Sequence, residues 1–202
     1  SDAMLRRMKR GHGGQRLRDV VSRLRDRVPD LVFRTAFIVG HPGETEADFE
    51  ELLDLVRWAR FDRVGVFRYS QEEGTASGEM AEVVDEATIA SRHRRLMAAQ
   101  RPISRERLEG MLGRTIEVLV EGISDESDLL LQGRWWGQAP EIDGHVFLAN
   151  GTARPGELRK AYVTQAADYD LVADLYEADG SLPEPPPGAD PRPAPRIRLP
   201  VV

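Results

Sequence analysis

Hydrophobic and polar positions in the first part of the chain follow helical and strand-like periods in turn. Residues 15–28 carry an apolar residue every three or four positions, which predicts a helix. The short apolar run 31–39 is rich in β-formers and predicts a buried strand. A glycine turn follows, and Thr45 with Asp48 three residues later is a pattern that begins a helix.

The same order of elements then repeats. Residues 63–69 predict a second strand, and residues 86–112 predict a long helix that Pro102 should kink or divide. Alternating strands and helices are typical of parallel strands joined by helical crossovers. Because two strands cannot cover both faces and both edges of a parallel sheet, we expect residues 1–112 to be a piece of a larger α/β domain.

The pattern changes at Gly113. Short strand-like runs separated by loops containing Gly, Asp or Pro predict a small five-stranded antiparallel β-barrel over residues 113–177. Residues 178–202 are dense in proline and predict a disordered tail, which is either a partner-binding segment or a terminus without a role. The predicted strands of the barrel are 115–120, 129–135, 145–148, 158–165 and 171–176.

Composition narrows the classes of function. The chain has 202 residues, a net charge of −6 and no cysteine. The lack of cysteine excludes disulfides, a thiol nucleophile and thiolate-bound metal within this sequence. The negative charge argues against general binding to nucleic acid. No apolar run is long enough for a transmembrane helix and no secretory signal is recognisable, so we expect a cytoplasmic protein that does not bind a membrane.

The charge is unevenly distributed along the chain. Nine bases face three acids within residues 1–27, whereas twelve acids face five bases within residues 113–177. Trp135 and Trp136 lie in the acidic part, and aromatic side chains on a small barrel can stack nucleic-acid bases. Phosphates need basic surroundings, so an acidic barrel favours a basic partner, unless the acids serve only solubility.

Two segments could carry chemistry. In the first, a strand ends at Gly40 and a helix begins after Thr45, an arrangement that lets small ligands approach the backbone. In the second, Phe67 and Tyr69 end the next strand, so both segments would lie on the same rim. The alternatives are an ordinary turn at Gly40 and a core position for Phe67. The four histidines show no metal-ligand spacing.

At these segments the chain resembles the radical S-adenosylmethionine methylthiotransferases. Residues 37–53, FIVGHPGETEADFEELL, resemble a motif of the family's catalytic barrel, with histidine at position 41 where phenylalanine is usual. Residues 4–11, MLRRMKRG, resemble a segment between barrel units, and residues 113–177 resemble the appended TRAM domain. The resemblance implies an α/β fold, the C-terminal part of a partial TIM-like barrel followed by a five-stranded β-barrel.

Three segments favour the branch that modifies a ribosomal protein over the branch that modifies tRNA. Residues 34–37, RTAF, lack the Thr-Asp that precedes the glycine turn in the tRNA branch. Residues 69–75, YSQEEGT, and residues 139–144, APEIDG, resemble the ribosomal-protein branch. The tRNA-modifying relative and a non-catalytic TRAM-type binding module remain the alternatives.

The resemblance also implies a chemistry and its cofactors. In the family, a 4Fe–4S cluster held by three cysteines reductively cleaves S-adenosylmethionine, and the radical takes hydrogen from the β-carbon of an aspartate in a small-subunit ribosomal protein. A second 4Fe–4S cluster takes part in sulfur insertion. This chain has no cysteine, so no metal ligand and no catalytic residue carries over to it. We expect a fragment of a longer protein that is inactive alone.

What carries over is one side of the S-adenosylmethionine pocket. Ile38, Val39, Gly40 and Glu44 match the motif that contacts the adenosyl moiety. Phe67 and Tyr69 match the segment that lies along the adenine. The acidic TRAM domain matches the part that docks the substrate, a basic ribosomal protein.

Overall fold

The computed structural model describes residues 1–177 and 179–182, which fall into two compact units divided between Ser104 and Arg105. Residues 178 and 183–202, most of the predicted Pro-rich tail, lie outside the described residues. The mixed α/β architecture with a closed five-stranded β-barrel confirms the predicted fold class. The predicted domain boundaries at 112/113 and 177/178 stay predictions. Within the described residues, no helix is both long and apolar enough to cross a membrane.

The first unit follows the predicted alternation. One helix was not predicted, because its six residues are too few to show a period; Ser1 caps it by accepting a hydrogen bond from the Met4 amide. The long helix continues through Pro102, so the predicted division of the helix is wrong, and the alternative, a kink at Pro102, stays a prediction. Burial of Leu96 and Ile103 on either side of the proline holds both halves in one core. The elements up to residue 109, five residues past the end of the first unit, are α1 Asp2–Arg7, α2 Gly14–Arg27, β1 Arg34–Val39, α3 Glu46–Ala59, β2 Arg63–Arg68 and α4 Glu86–Glu109.

The strands β1 and β2 are parallel and pair in register from Arg34↔Arg63 to Val39↔Arg68. Alternate side chains therefore point to opposite faces. One face packs into the core with α3 and α4, and this core contains Val39, Phe49 and Leu96. The opposite face, which we call the open face, carries Ala36, Ile38, Gly65 and Phe67. Ile38 is 42% exposed and Phe67 is 59% exposed, so this face presents apolar surface to solvent.

The helix α3 begins where the sequence predicted. Thr45 accepts a hydrogen bond from the Asp48 amide at 3.2 Å, and the Asp48 carboxylate accepts one from the Thr45 amide at 3.0 Å, which completes a capping box. The helix ends at Arg60, which has a left-handed conformation with φ of 45°. Both ends of the helix that follows the glycine turn are therefore fixed locally.

The second unit is a closed barrel with strand order β3-β4-β5-β7-β6. All neighbouring pairs are antiparallel except β5 and β7, which are parallel, so the predicted all-antiparallel barrel is wrong in one pair. The reason is topological: after β5 the chain crosses the barrel so that β6 pairs with β3, and β7 then turns back from β6 and runs beside β5 in the same direction. The strands are β3 Thr115–Ser124, β4 Ser127–Trp135, β5 Val146–Asn150, β6 Leu158–Ala166 and β7 Leu171–Leu175.

Candidate functional site

The turn after β1 requires glycine. Gly40 has a φ of +83°, and a Cβ placed there would lie 2.3 Å from Cγ1 of Ile89. Gly43 has a φ of +77°, and its amide donates a hydrogen bond of 2.7 Å to the Glu82 carbonyl. Left-handed backbone costs glycine little, and the missing side chains let the turn pack closely. The predicted turn is therefore a rigid part of the core and not only a break between elements.

Glu44 holds this turn from inside. Its Oε1 accepts a hydrogen bond from the Gly40 amide at 3.1 Å and another from the Arg92 guanidinium at 2.7 Å. The same guanidinium donates to the Glu44 carbonyl at 3.2 Å. Burial raises the pKa of the Glu44 carboxyl, and the Gly40 amide and Arg92 offset only part of that rise. The carboxylate is thus engaged by the protein itself at the predicted cofactor motif.

The remaining predicted site residues lie on both faces of the strand pair. Ile38 and Phe67 are partners in the strand register and lie side by side on the open face. The Phe67 ring lies over Gly65, because a Cβ at Gly65 would meet the ring at 3.3 Å. Val39 is fully buried on the opposite face, so its side chain belongs to the core and does not join the other two.

Tyr69 completes the rim at the end of β2. Its amide donates to the Val39 carbonyl at 2.9 Å, which joins the two strand ends. Its hydroxyl is buried and has no hydrogen-bond partner in the part of the chain that the structure describes. Buried hydroxyl groups nearly always have a partner, and the described residues leave the hydrogen-bonding capacity of this one unused.

His41 lies beside Tyr69, with ring centroids 5.4 Å apart, and it is buried. Its Nδ1 is 3.0 Å from the Pro42 carbonyl oxygen, and its Nε2 is 3.0 Å from the Ser77 hydroxyl. Because a carbonyl can only accept, Nδ1 donates to the Pro42 oxygen, and in the tautomer with its proton on Nδ1 the Nε2 atom accepts from the Ser77 hydroxyl. His41 therefore ties the loop after β2 to the glycine turn.

Sequence reasoning missed the parts played by Arg92 and His41. The sequence pattern gives no function to Arg92, and it marks His41 only as a departure from phenylalanine. No local signal could have paired them with Glu44 and Ser77, because these partners are 48 and 36 positions away. As for metal, the described residues contain no group of three or more His, Asp or Glu side chains that could hold an ion.

The barrel presents a second candidate surface. The rings of Trp135 and Trp136 meet edge to face, with centroids 5.0 Å apart, and Trp136 is 69% exposed. The loop that follows also exposes Ile142. Arg134, the base nearest in sequence, is paired with Glu121 at 3.0 Å, so its charge is compensated. This end of β4 therefore exposes two large apolar side chains, and the charge of its nearest base is compensated by an acid.

Comparisons with known proteins agree with these features. The family model of the TRAM domain matches residues 112–175. A ribosomal protein uS12 methylthiotransferase RimO from Sorangium cellulosum is 63% identical over 181 residues, which are 90% of this chain and 37% of that protein. Proteins of the same name from an Anaeromyxobacter species (strain K) and from Myxococcus xanthus are 52% and 50% identical, over 96% and 88% of this chain.

The chain belongs to the radical S-adenosylmethionine methylthiotransferase family, in the branch of the uS12-modifying enzymes, and corresponds to a C-terminal portion of its members. It spans 37% to 42% of the length of these three curated relatives.

Proposed function

We propose that this chain is the C-terminal part of an enzyme that adds a methylthio group to the β-carbon of an aspartate in the small-subunit ribosomal protein uS12. The observation that carries the proposal is the open face of β1 and β2, which ends at the Gly40 turn and the Tyr69 hydroxyl. The names of the similar proteins supply the substrate and the reaction. We further propose that the protein works in the cytoplasm, where ribosomal proteins are made.

The residues of the open face fit S-adenosylmethionine. The exposed Phe67 ring beside Ile38 offers a flat apolar surface of the kind that an adenine stacks on. The buried Tyr69 hydroxyl, which has no partner among the described residues, can donate a hydrogen bond to a ligand oxygen. Gly40 allows the left-handed turn at the strand end, and Val39 contributes through its backbone. When bound, this cofactor supplies the radical that the reaction needs.

Glu44 supports this site by holding the adjacent glycine turn in place. Its carboxylate bonds to the Gly40 amide and to Arg92, so it fixes the conformation of the turn against which the adenosyl moiety would lie. This function for Glu44 refines the contact that the family motif implies.

The iron–sulfur chemistry belongs to other parts of the protein. Family members use two 4Fe–4S clusters held by cysteine, and this chain contains no cysteine. We propose that the cluster ligands lie in a preceding segment and that the present chain is inactive alone.

The acidic barrel supports a basic protein as the docking partner. Twelve acids against five bases within residues 113–177 attract a basic ribosomal protein and repel the phosphates of RNA. On this proposal nucleic acid is not a partner of the barrel, which distinguishes the chain from the tRNA-modifying branch.

The experiment that tests the substrate compares two ligands of the 202-residue chain. Fluorescently labelled uS12 and a tRNA anticodon stem-loop are titrated at about 0.15 M ionic strength and again at higher salt. We expect binding to uS12 that weakens as salt rises, and no binding to the stem-loop. Binding to the stem-loop alone would move the chain to the tRNA-modifying branch.

A further inference from the structure

Residues 136–144, which we call the tryptophan loop, expose two large apolar side chains at the end of β4. Trp136 is 69% exposed and Ile142 is 76% exposed. Large apolar side chains exposed in one short loop of a small domain are candidates for a contact surface. Tryptophan is also the residue type most enriched among the side chains that dominate binding energy in protein interfaces.

The loop is braced from inside, so these side chains are presented in a fixed arrangement. Gln138 is buried; its Oε1 accepts a hydrogen bond from the Trp135 amide at 3.1 Å, and its Nε2 donates to the Gly144 carbonyl at 2.5 Å. The Asp143 carboxylate accepts a hydrogen bond from the Ala139 amide at 2.8 Å. A surface that is ordered before binding loses less conformational entropy when the partner arrives.

The backbone also fixes the orientation of the two indoles. A Cβ at Gly137 would lie 2.2 Å from the Trp135 ring, so the ring packs directly on the glycine backbone. Trp136 then meets the Trp135 ring edge to face. One indole is thereby held against the barrel, and the other projects outward.

The charge of the loop determines which partner fits. Residues 136–144 contain two acids, Glu141 and Asp143, and no base. An exposed indole attracts a guanidinium or ammonium group through its ring face, and nearby carboxylates strengthen that attraction. The same carboxylates repel a phosphate, so stacking of an RNA base on Trp136 would oppose the local charge.

We propose that the tryptophan loop is the docking point for a basic segment of the ribosomal-protein substrate, with an arginine or lysine side chain lying across Trp136. Ile142 adds apolar contact, and Glu141 supplies the opposite charge. The inference rests on the proposed function for the identity of the partner, and it assigns the contact to one loop of the acidic barrel.

The test uses the 202-residue chain and labelled uS12. Trp136→Ala should weaken binding by about tenfold or more, as expected for a central aromatic contact. Trp136→Phe should retain part of the affinity, because phenylalanine keeps a weaker cation–π face. Glu141→Lys should also weaken binding. Leu129→Ala is the matched control, since Leu129 is 91% exposed but lies near the start of β4. Its dissociation constant for uS12 should stay within about twofold of the wild-type value.

The outcomes separate the two proposals. If the wild-type chain does not bind uS12, the proposed substrate is wrong. If the wild-type chain binds uS12 and Trp136→Ala binds equally well, the substrate stands and the docking point is wrong. An equal loss of uS12 binding with Leu129→Ala would also overturn the docking point. Circular dichroism of each variant verifies the fold, which these exposed positions should leave intact.

Discussion

Glu44 and Arg92 meet at 2.7 Å inside the first unit, where each side chain is only 5% exposed. The pair joins the end of the glycine turn to the middle of α4, and it also holds the Gly40 amide in place. A buried pair of this kind is costly to break, because the remaining partner keeps an uncompensated charge away from water.

The first prediction removes one partner. Arg92→Met should lower the free energy of unfolding of the first unit by about 3–5 kcal/mol, because the Glu44 carboxylate would stay buried without its cation. Arg57→Met is the control, since Arg57 and Asp54 form an exposed pair and its loss should cost within about 0.5 kcal/mol. Urea unfolding followed by the helical signal in far-ultraviolet circular dichroism measures both, because the helices precede the barrel strands. Similar losses for the two variants would contradict the role given to Arg92.

The second prediction concerns pH. Burial raises the pKa of Glu44 in the folded chain. Its contribution to stability is therefore complete below the unfolded pKa of about 4.3 and is lost as the pH rises through the folded pKa. The side chain of Glu44→Gln cannot ionise, so the variant does not lose this contribution as the pH rises. The free energy of unfolding of the variant minus that of the wild type should therefore increase from about pH 4 to about pH 7. Urea titrations at several pH values test this, and a difference that moves the other way would show that the folded pKa is lowered.

The third prediction tests the close packing at Gly40. Gly40→Ala places a methyl group against Ile89 and also imposes a left-handed conformation on alanine. We therefore expect the free energy of unfolding to fall by roughly 2–4 kcal/mol. Gly74→Ala is a matched control, because Gly74 has a φ of +72° and open space around its Cβ position. Its loss should be about 1–2 kcal/mol, from the backbone alone. Equal losses in thermal unfolding would mean that Ile89 adjusts freely.

The fourth prediction concerns the loop after β2. His41→Phe removes the hydrogen bonds to Ser77 and to the Pro42 carbonyl, so residues 70–80 should exchange amide hydrogens faster. Exchange in the barrel strands should not change. His41→Gln retains a group that can accept a hydrogen bond from Ser77. Its exchange rates over residues 70–80 should therefore lie between those of the wild type and those of His41→Phe. Unchanged exchange in His41→Phe would mean that other contacts hold the loop.

The fifth prediction addresses the tryptophan loop. Gly137→Ala would force Trp135 away from the backbone, so the near-ultraviolet circular dichroism of the indole pair should decrease and binding to uS12 should weaken. Gly110→Ala is the control, because a Cβ there would make ordinary contacts of 3.4–3.5 Å. An unchanged spectrum for Gly137→Ala would show that Trp135 can move without disturbing Trp136.

The sequence alone determined the local structure and the family. The helical period of residues 15–28, the two apolar runs and the capping box at Thr45 predicted the elements of the first unit, except α1, within a few residues. The short runs after Gly113 predicted the barrel strands in the same way. These features depend on neighbours within four positions along the chain, so their physical cause is readable from the sequence.

The tertiary structure determined the contacts between distant residues, which neighbouring positions in the sequence cannot encode. It brought Arg92 to Glu44 and Ser77 to His41, placed Val39 in the core while Ile38 faces outward with Phe67, and made β5 and β7 parallel. It also carried α4 through Pro102, because packing on both sides outweighs one missing hydrogen bond. Each of these results depends on groups far apart in the chain, whose proximity is fixed only when the whole core packs.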